Sequence, residues 1–354
     1  MRAMGKTALV ISGGGSKGSF AVGALKYLVG ELGMEFDVLA GTSTGALIVP
    51  LLAARGRAAL PVLETAYTTR THRDILSGSR VLRVLRGEPS FYGTDPLRQA
   101  IEAHVDQEVF EALRASPRQM AVTTTDFTDR KLVYWQTGPS IATHEPVVQV
   151  KSRDELVKAM LASASVPVAM PPVALGREGR PEDVYVDGGV REYAPIRVAI
   201  DAGATDICCI ILSPPRERRP HYTPRSGNVF DVLQHTIDLL TEGVGEADVK
   251  LSTLYTRSRV YVNAVRAKLL AAGVDPEVVE DAFAHPGVPD PLRGKVAVSL
   301  RIIRPKERLR SRTLEFNPVK MRADLETGYR TAKEQWPVMD ALPRLSFARA
   351  PAAV

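Results

Sequence analysis

Short apolar runs that stop at glycines, alternating with longer stretches of helical periodicity, set the rhythm of this chain. Residues 7–12 form a β-branched and apolar run that enters a glycine turn. Beyond it, Phe20, Ala21, Ala24, Leu25, Leu28 and Leu32 recur at helical spacing over 18–32. Residues 36–40 repeat the strand pattern and run straight into Gly41, after which 46–54 is an apolar segment long enough for a buried helix. Further strand-like runs at 120–125, 132–135, 184–187, 207–212 and 296–303 are interleaved with helical stretches at 154–163, 229–255, 260–271 and 319–334. The mixture predicts a layered α/β fold with a mainly parallel central sheet flanked by helices. Proline-rich breaks at 214–224 and 285–291 predict surface excursions, and no internal repeat is visible. Residues 1–340 read as one domain and 341–354 as a flexible tail.

Two of the glycine turns carry chemistry. Gly41-Thr42-Ser43-Thr44-Gly45 fits G-x-S-x-G, in which small neighbours let a serine sit on a sharp strand-to-helix turn with its hydroxyl presented. Gly13-Gly14-Gly15-Ser16-Lys17-Gly18 supplies consecutive unobstructed backbone N–H groups, which a developing oxyanion needs. Both lie between a strand and a helix, where the helix N-terminus favours negative charge. A base is then required. The six histidines, His72, His104, His144, His221, His235 and His285, fall in no catalytic-looking turn. Asp187, in Val184-Tyr185-Val186-Asp187-Gly188-Gly189, ends an alternating strand before two glycines, where an open α/β sheet places its ligands. An Asx-turn closing a strand would use the same residues.

With these three motifs in this order, the chain resembles the patatin-like phospholipase family, whose pattern is G-G-G-x-[KR]-G, then G-x-S-x-G, then D-G-[GA]. The block Ala162-Ser163-Ala164-Ser165-Val166-Pro167, continuing to Met170-Pro171-Pro172, is similar to the family's Ala-Ser-rich and proline-rich patch. Together the four patches extend the resemblance over about residues 7–196, and the late Asn317-Pro318 with its helix resembles the end of a patatin domain. One departure is Tyr193, which stands where the family often has asparagine before x-Pro. The resemblance implies a patatin-like hydrolase domain with a Ser43–Asp187 dyad that uses no histidine. Gly13, Gly14, Gly15 and Ser16 would form the oxyanion hole, with Gly14 and Gly15 as leading donors. Lys17, with Gly18, would shape that loop or attract an anionic head group. The implied activity is cleavage of carboxylic esters of phospholipids or similar lipids through an acyl-serine intermediate, of phospholipase A or lysophospholipase type, with no metal or other cofactor. The segment 68–94 would serve as a lid or acyl-channel wall.

Two other readings use the same residues. Gly13, Gly15 and Gly18 also satisfy the dinucleotide-binding G-x-G-x-x-G, with Glu35 and Asp37 at roughly the spacing of the ribose contact, although at the start of the second strand instead of its end. A lipid-binding relative without catalysis is the other. The P-loop is excluded by the lack of Gly-Lys-[Ser/Thr]. Composition adds little that discriminates: 46 basic against 40 acidic residues give +6, and 45% hydrophobic content suffices for a core. Basic clusters at 79–86 and 216–220 suggest peripheral contact with anionic lipid. No nucleic-acid module, zinc spacing or calcium loop is visible. Cys208 and Cys209 are neighbours on a strand-like run, so they point to opposite faces and read as reduced packing thiols. With no long unbroken apolar run and no secretory leader, the expected compartment is the cytoplasm, with contact at a membrane surface.

Overall fold

A computed structural model describes residues 5–78, 80–176, 180, 183–215, 229–284 and 297–340. The strands are β1 (Lys6–Ile11), β2 (Val38–Thr42), β3 (Gln119–Asp126), β4 (Lys131–Thr137), β5 (Val147–Gln149), β6 (Val173–Ala174), β7 (Val184–Asp187), β8 (Ala204–Ile210) and β9 (Ser299–Ile303). The helices are α1 (Gly18–Leu25), α2 (Thr44–Arg55), α3 (Leu60–Thr69), α4 (Arg80–Leu85), α5 (Asp95–His104), α6 (Gln107–Ala115), α7 (Arg153–Ala164), α8 (Ile196–Asp201), α9 (Val229–Ala271), α10 (Pro276–Phe283) and α11 (Pro318–Asp340).

The sheet runs in the order β5-β4-β3-β2-β1-β8-β9. Its centre, from β3 through β2, β1 and β8 to β9, is parallel. Strand β4 turns back antiparallel on β3, a direction the apolar pattern does not encode. The central strands read as continuous apolar runs because both faces are covered. Leu9, Ile11, Leu39 and Cys208 enter the larger core, beneath α1, α2, α3, α6, α7 and α11. Their neighbours Ala8, Val10, Val38, Ala40 and Cys209 face α8 on the other side. Both thiols are buried and free, and burial pushes the Cys208 thiol up to about 12.

Several elements depart from the expectation. Helix α1 ends at Leu25 and passes into a widened turn over Lys26–Glu31. The two helices expected at 229–255 and 260–271 are one continuous helix: the polar run at 256–259, with Thr256 buried and Arg257 exposed, stays helical and is not a break. Strand β9 starts at Ser299, while the first residue of the expected run, Val296, lies outside the described residues. So do most of the proline-rich excursions, the basic cluster at 216–220 and the expected tail at 341–354. The stretch Thr44–Thr69 is long and apolar enough to cross a membrane by length and composition, with mean hydropathy 1.6. Here it breaks at Gly56 (φ 53°) into α2 and α3, and 56% of its apolar window is buried inside the fold. At the other end of the chain, α11 packs on α1 with backbones nearly touching. A Cβ on Gly23 would sit 1.9 Å from the Leu325 carbonyl oxygen, and one on Gly328 equally close to that of Phe20.

Candidate active site

Sheet register brings the serine and the aspartate together. Along β3, the partner β2 ends at the pair Thr42↔Thr123, and β7 takes over the same edge with Thr124↔Asp187. Ser43, one residue past the end of β2, therefore stands beside Asp187 at the end of β7. Their side chains are hydrogen-bonded.

Each partner is fixed by its surroundings. Ser43 holds φ 55° and ψ −118°, a conformation that non-glycine residues rarely adopt and that costs of order 1–3 kcal/mol. The flanking glycines allow the bend: a Cβ on Gly41 would lie 2.4 Å from the Gly45 backbone, and one on Gly45 2.2 Å from the Ile11 carbonyl oxygen. The Ser43 N–H donates to Ser163 Oγ at 2.9 Å, and Ser163 donates in turn to the Thr123 carbonyl at 2.6 Å. Two residues on, the Ser165 carbonyl accepts the Asp187 N–H at 2.9 Å. A single Ala-Ser block at the end of α7 thus holds both members of the pair. Asp187 Oδ1 also accepts the Gly189 N–H at 2.7 Å. Burial raises the Asp187 carboxyl from its ordinary 3.8 to about 7, against the opposing pull of the hydrogen bonds from Ser43 and Gly189.

The anion loop resolves into donors that are engaged and donors that are free. Gly13 N–H donates to the Tyr193 carbonyl at 3.0 Å and Ser16 N–H to the Thr313 carbonyl at 3.2 Å, which corrects the expectation that both face an oxyanion. Gly14 (φ 150°) and Gly15 (φ 56°) adopt conformations that need glycine, and their N–H groups have no partner among the described residues. A Cβ on Gly15 would lie 2.0 Å from the Thr313 carbonyl oxygen. Lys17 is buried and ion-paired with Asp238 of α9 at 3.4 Å, so it ties the loop down and is not presented to a head group. Gly18 opens α1 against Thr44 and Tyr67, where a Cβ would lie 2.2 Å from Thr44 Oγ1. Asp238 also accepts the Thr313 hydroxyl, and Ser16 Oγ donates to the Arg312 carbonyl at 2.7 Å.

Tyr193, the departure from the family pattern, is wedged beneath this loop. Its carbonyl holds Gly13, its hydroxyl bonds Ser12, and its own N–H and that of Ala194 both donate to Asp248 Oδ2 of α9 at 2.9 Å. No signal in the sequence placed Asp238 or Asp248 here, since they lie on a helix 51 and 61 residues downstream of Asp187.

An apolar channel opens from Ser43 and Gly15. Leu47 and Leu51 of α2, Leu63 and Ala66 of α3, Ala100 and Ile101 of α5, and Met160 of α7 form its walls. Arg70 and Ile75 line it as well, so part of the segment 68–94 does form a wall. Arg83 of that segment is turned back onto Glu88 and Ser90 and is not offered to a lipid surface. His104 also lines the channel, its imidazole held below the ordinary 6.5 by burial and by Arg70 and Arg55. Glu35 and Asp37 lie at the opposite end of the sheet from the glycine loop. Asp37 accepts the N–H of Thr7 there at 2.8 Å, which removes the ribose contact a dinucleotide would need. Among the described residues no group of three or more His, Cys, Asp or Glu is placed to hold a metal ion.

Comparison with known proteins gives one family match. The sequence profile described as Patatin-like phospholipase matches residues 9–200. Among solved structures, that of VipD from Legionella pneumophila is similar at 12% identity and TM-score 0.41, over 95% of this chain and 68% of that one. Comparison with curated proteins returns no match.

Proposed function

The chain belongs to the patatin-like phospholipase family, and from that membership together with the site geometry we propose that it is a lipid acyl hydrolase of phospholipase A or lysophospholipase type. Ser43 is the nucleophile and Asp187 its base. The observation that carries the reading is the hydrogen-bonded Ser43–Asp187 pair at the head of an apolar channel, beside two unengaged glycine amides. Asp187 takes the Ser43 proton as Oγ attacks the ester carbonyl. The oxyanion is held by the Gly14 and Gly15 N–H groups, each such donor being worth about 2.7–4 kcal/mol. As the carbonyl re-forms, the C–O bond to the alcohol breaks and the leaving oxygen takes the proton back from Asp187. Water activated by the same carboxylate then attacks the acyl-serine, releasing the fatty acid and restoring the Ser43 hydroxyl. The channel walls receive the acyl chain. Displacement of ordered water from that apolar surface supplies binding without any polar recognition.

Ser43→Ala and Asp187→Asn should each abolish release of fatty acid from phospholipid or lysophospholipid, followed by mass spectrometry. The double variant should be little worse than either, because the pair acts as a unit. A fluorophosphonate should label the wild type at Ser43. Unimpaired hydrolysis by folded Ser43→Ala would overturn the mechanism.

A further inference from the structure

Helix α9 carries a set of large apolar residues on the side facing away from the fold. Leu239, Leu240, Leu251, Leu254 and Tyr261 are 59–71% exposed. At 100° per residue all five fall, with exposed Gly243, Ala247 and Ala264, within one arc of about 140°. Ile237 and Asp238 lie on the opposite, buried side. At 43 residues the helix is about 65 Å long, so the arc is an extended flat stripe.

The exposed charged residues on that stripe are of one sign. Lys250, Arg257 and Lys268 are exposed along it, and no Asp or Glu is exposed among the described residues of α9. Asp238 is turned inward to Lys17 and Asp248 to the Tyr193 and Ala194 amides, while Glu242 and Glu246 are half-buried. Apolar side chains whose exposed charged neighbours are all cations are the composition that lies in the interface of an anionic bilayer. Two copies of this face would oppose like charges. On its inner side the same helix places Ile237 in one buried cluster with Val166 and Met170, which line the Ser43 channel.

We propose that the outer face of α9 docks on the anionic surface of a lipid bilayer and holds the channel against the membrane that carries its substrate. The inference rests on the lipid-hydrolase reading for its purpose, but binding is measured apart from catalysis. Ser43→Ala protein is sedimented with vesicles of phosphatidylcholine alone and of phosphatidylcholine with phosphatidylglycerol. It should bind the second kind more tightly, and high salt should weaken that binding. Adding L251E/L254E should cut the affinity at least about tenfold, and K250E/R257E should do so on anionic vesicles only. With Ser43 present, both double variants should hydrolyse a soluble short-chain ester as the wild type does, which keeps a loss of docking distinct from a loss of chemistry. Unchanged vesicle binding in both variants would overturn the proposal. So would a dimer of the wild type, seen by analytical ultracentrifugation, that L251E/L254E dissociates, since the stripe would then be a contact between copies.

Discussion

Asp187 shows how one side chain can set both the pH range of a site and the stability of the fold around it. A carboxylate near 3.8 is a poor base for a serine hydroxyl, and burial moves this one to about 7. It must be ionised to act, so kcat/KM should be low in acid and rise through an apparent pKa near 7. A profile already flat from pH 5 upward would show that a different group takes the proton. The same shift works against folding. The folded state keeps the Asp187 proton up to about pH 7, whereas the unfolded chain releases it near 3.8, so the stability contribution is fully present below pH 4 and lost as pH rises to 7. Above pH 7 the ionised, buried carboxylate costs about 4 kcal/mol at 1.36 kcal/mol per pKa unit. Asp187→Asn is isosteric with the protonated form, so it should be inactive yet more stable than wild type at pH 8. The difference should shrink toward pH 4. Urea melts of the two proteins at both pH values measure it, and a variant less stable than wild type at pH 8 would contradict the origin assigned to the shift.

At the scale of elements, the glycine loop is held from outside as much as by its own sequence. The motif residues were legible because their chemistry demands particular types: glycine at 13–15, 41 and 45 for close approach and positive φ, serine at 43, and aspartate before two glycines. The clamp was not legible. Asp238 and Asp248 sit in a helix whose periodicity says only that it is a helix, and Thr313 sits in the irregular loop after β9. All three lie beyond the span matched by the family profile, residues 9–200. Gly245 in the middle of α9 is explained by the same clamp, because a Cβ there would lie 2.6 Å from the buried Tyr193 ring. In an exposed helix Gly→Ala gains up to about 1 kcal/mol. Here the methyl presses on a side chain that supports Gly13, and overpacking of that kind costs about 1–3 kcal/mol. Gly245→Ala should therefore lower the melting temperature and reduce kcat more than it raises KM, since the oxyanion donors are displaced while the channel is untouched. Adding Tyr193→Asn, the residue more usual in the family, makes room for the methyl and should recover part of both losses. A stabilised, fully active Gly245→Ala would mean that Tyr193 does not bear on the loop.

Across the whole molecule, strands are easier to read from sequence than cavities. The layered sheet could be foreseen because each central strand is a short apolar run and each connection carries helical spacing. Short helices such as α3, α5 and α6 are not apparent as apolar runs, because nine or ten residues make fewer than three turns and leave the pattern few repeats to show. The channel is made by those very helices. Leu47, Leu63, Ala100 and Met160 are ordinary apolar residues, each on a different helix, and only the packing of α2, α3, α5 and α7 turns them into one wall leading from Ser43. Small side chains are what keep that wall open, and Ala100 on α5 is one of them. Ala100→Phe adds a ring to space that a long acyl chain would fill, while Ser43, Asp187 and the glycine loop stay as they are. Losing room for about two methylenes, at about 0.8 kcal/mol each, amounts to more than a tenfold loss of affinity for the chain. The variant should therefore lose at least about tenfold in kcat/KM on long-chain esters and keep wild-type values on butyrate esters. Measuring kcat/KM for p-nitrophenyl esters from four to sixteen carbons gives the whole curve. If Ala100→Phe lowers every member of the series equally, the acyl chain lies elsewhere and the channel is only a gap in the packing.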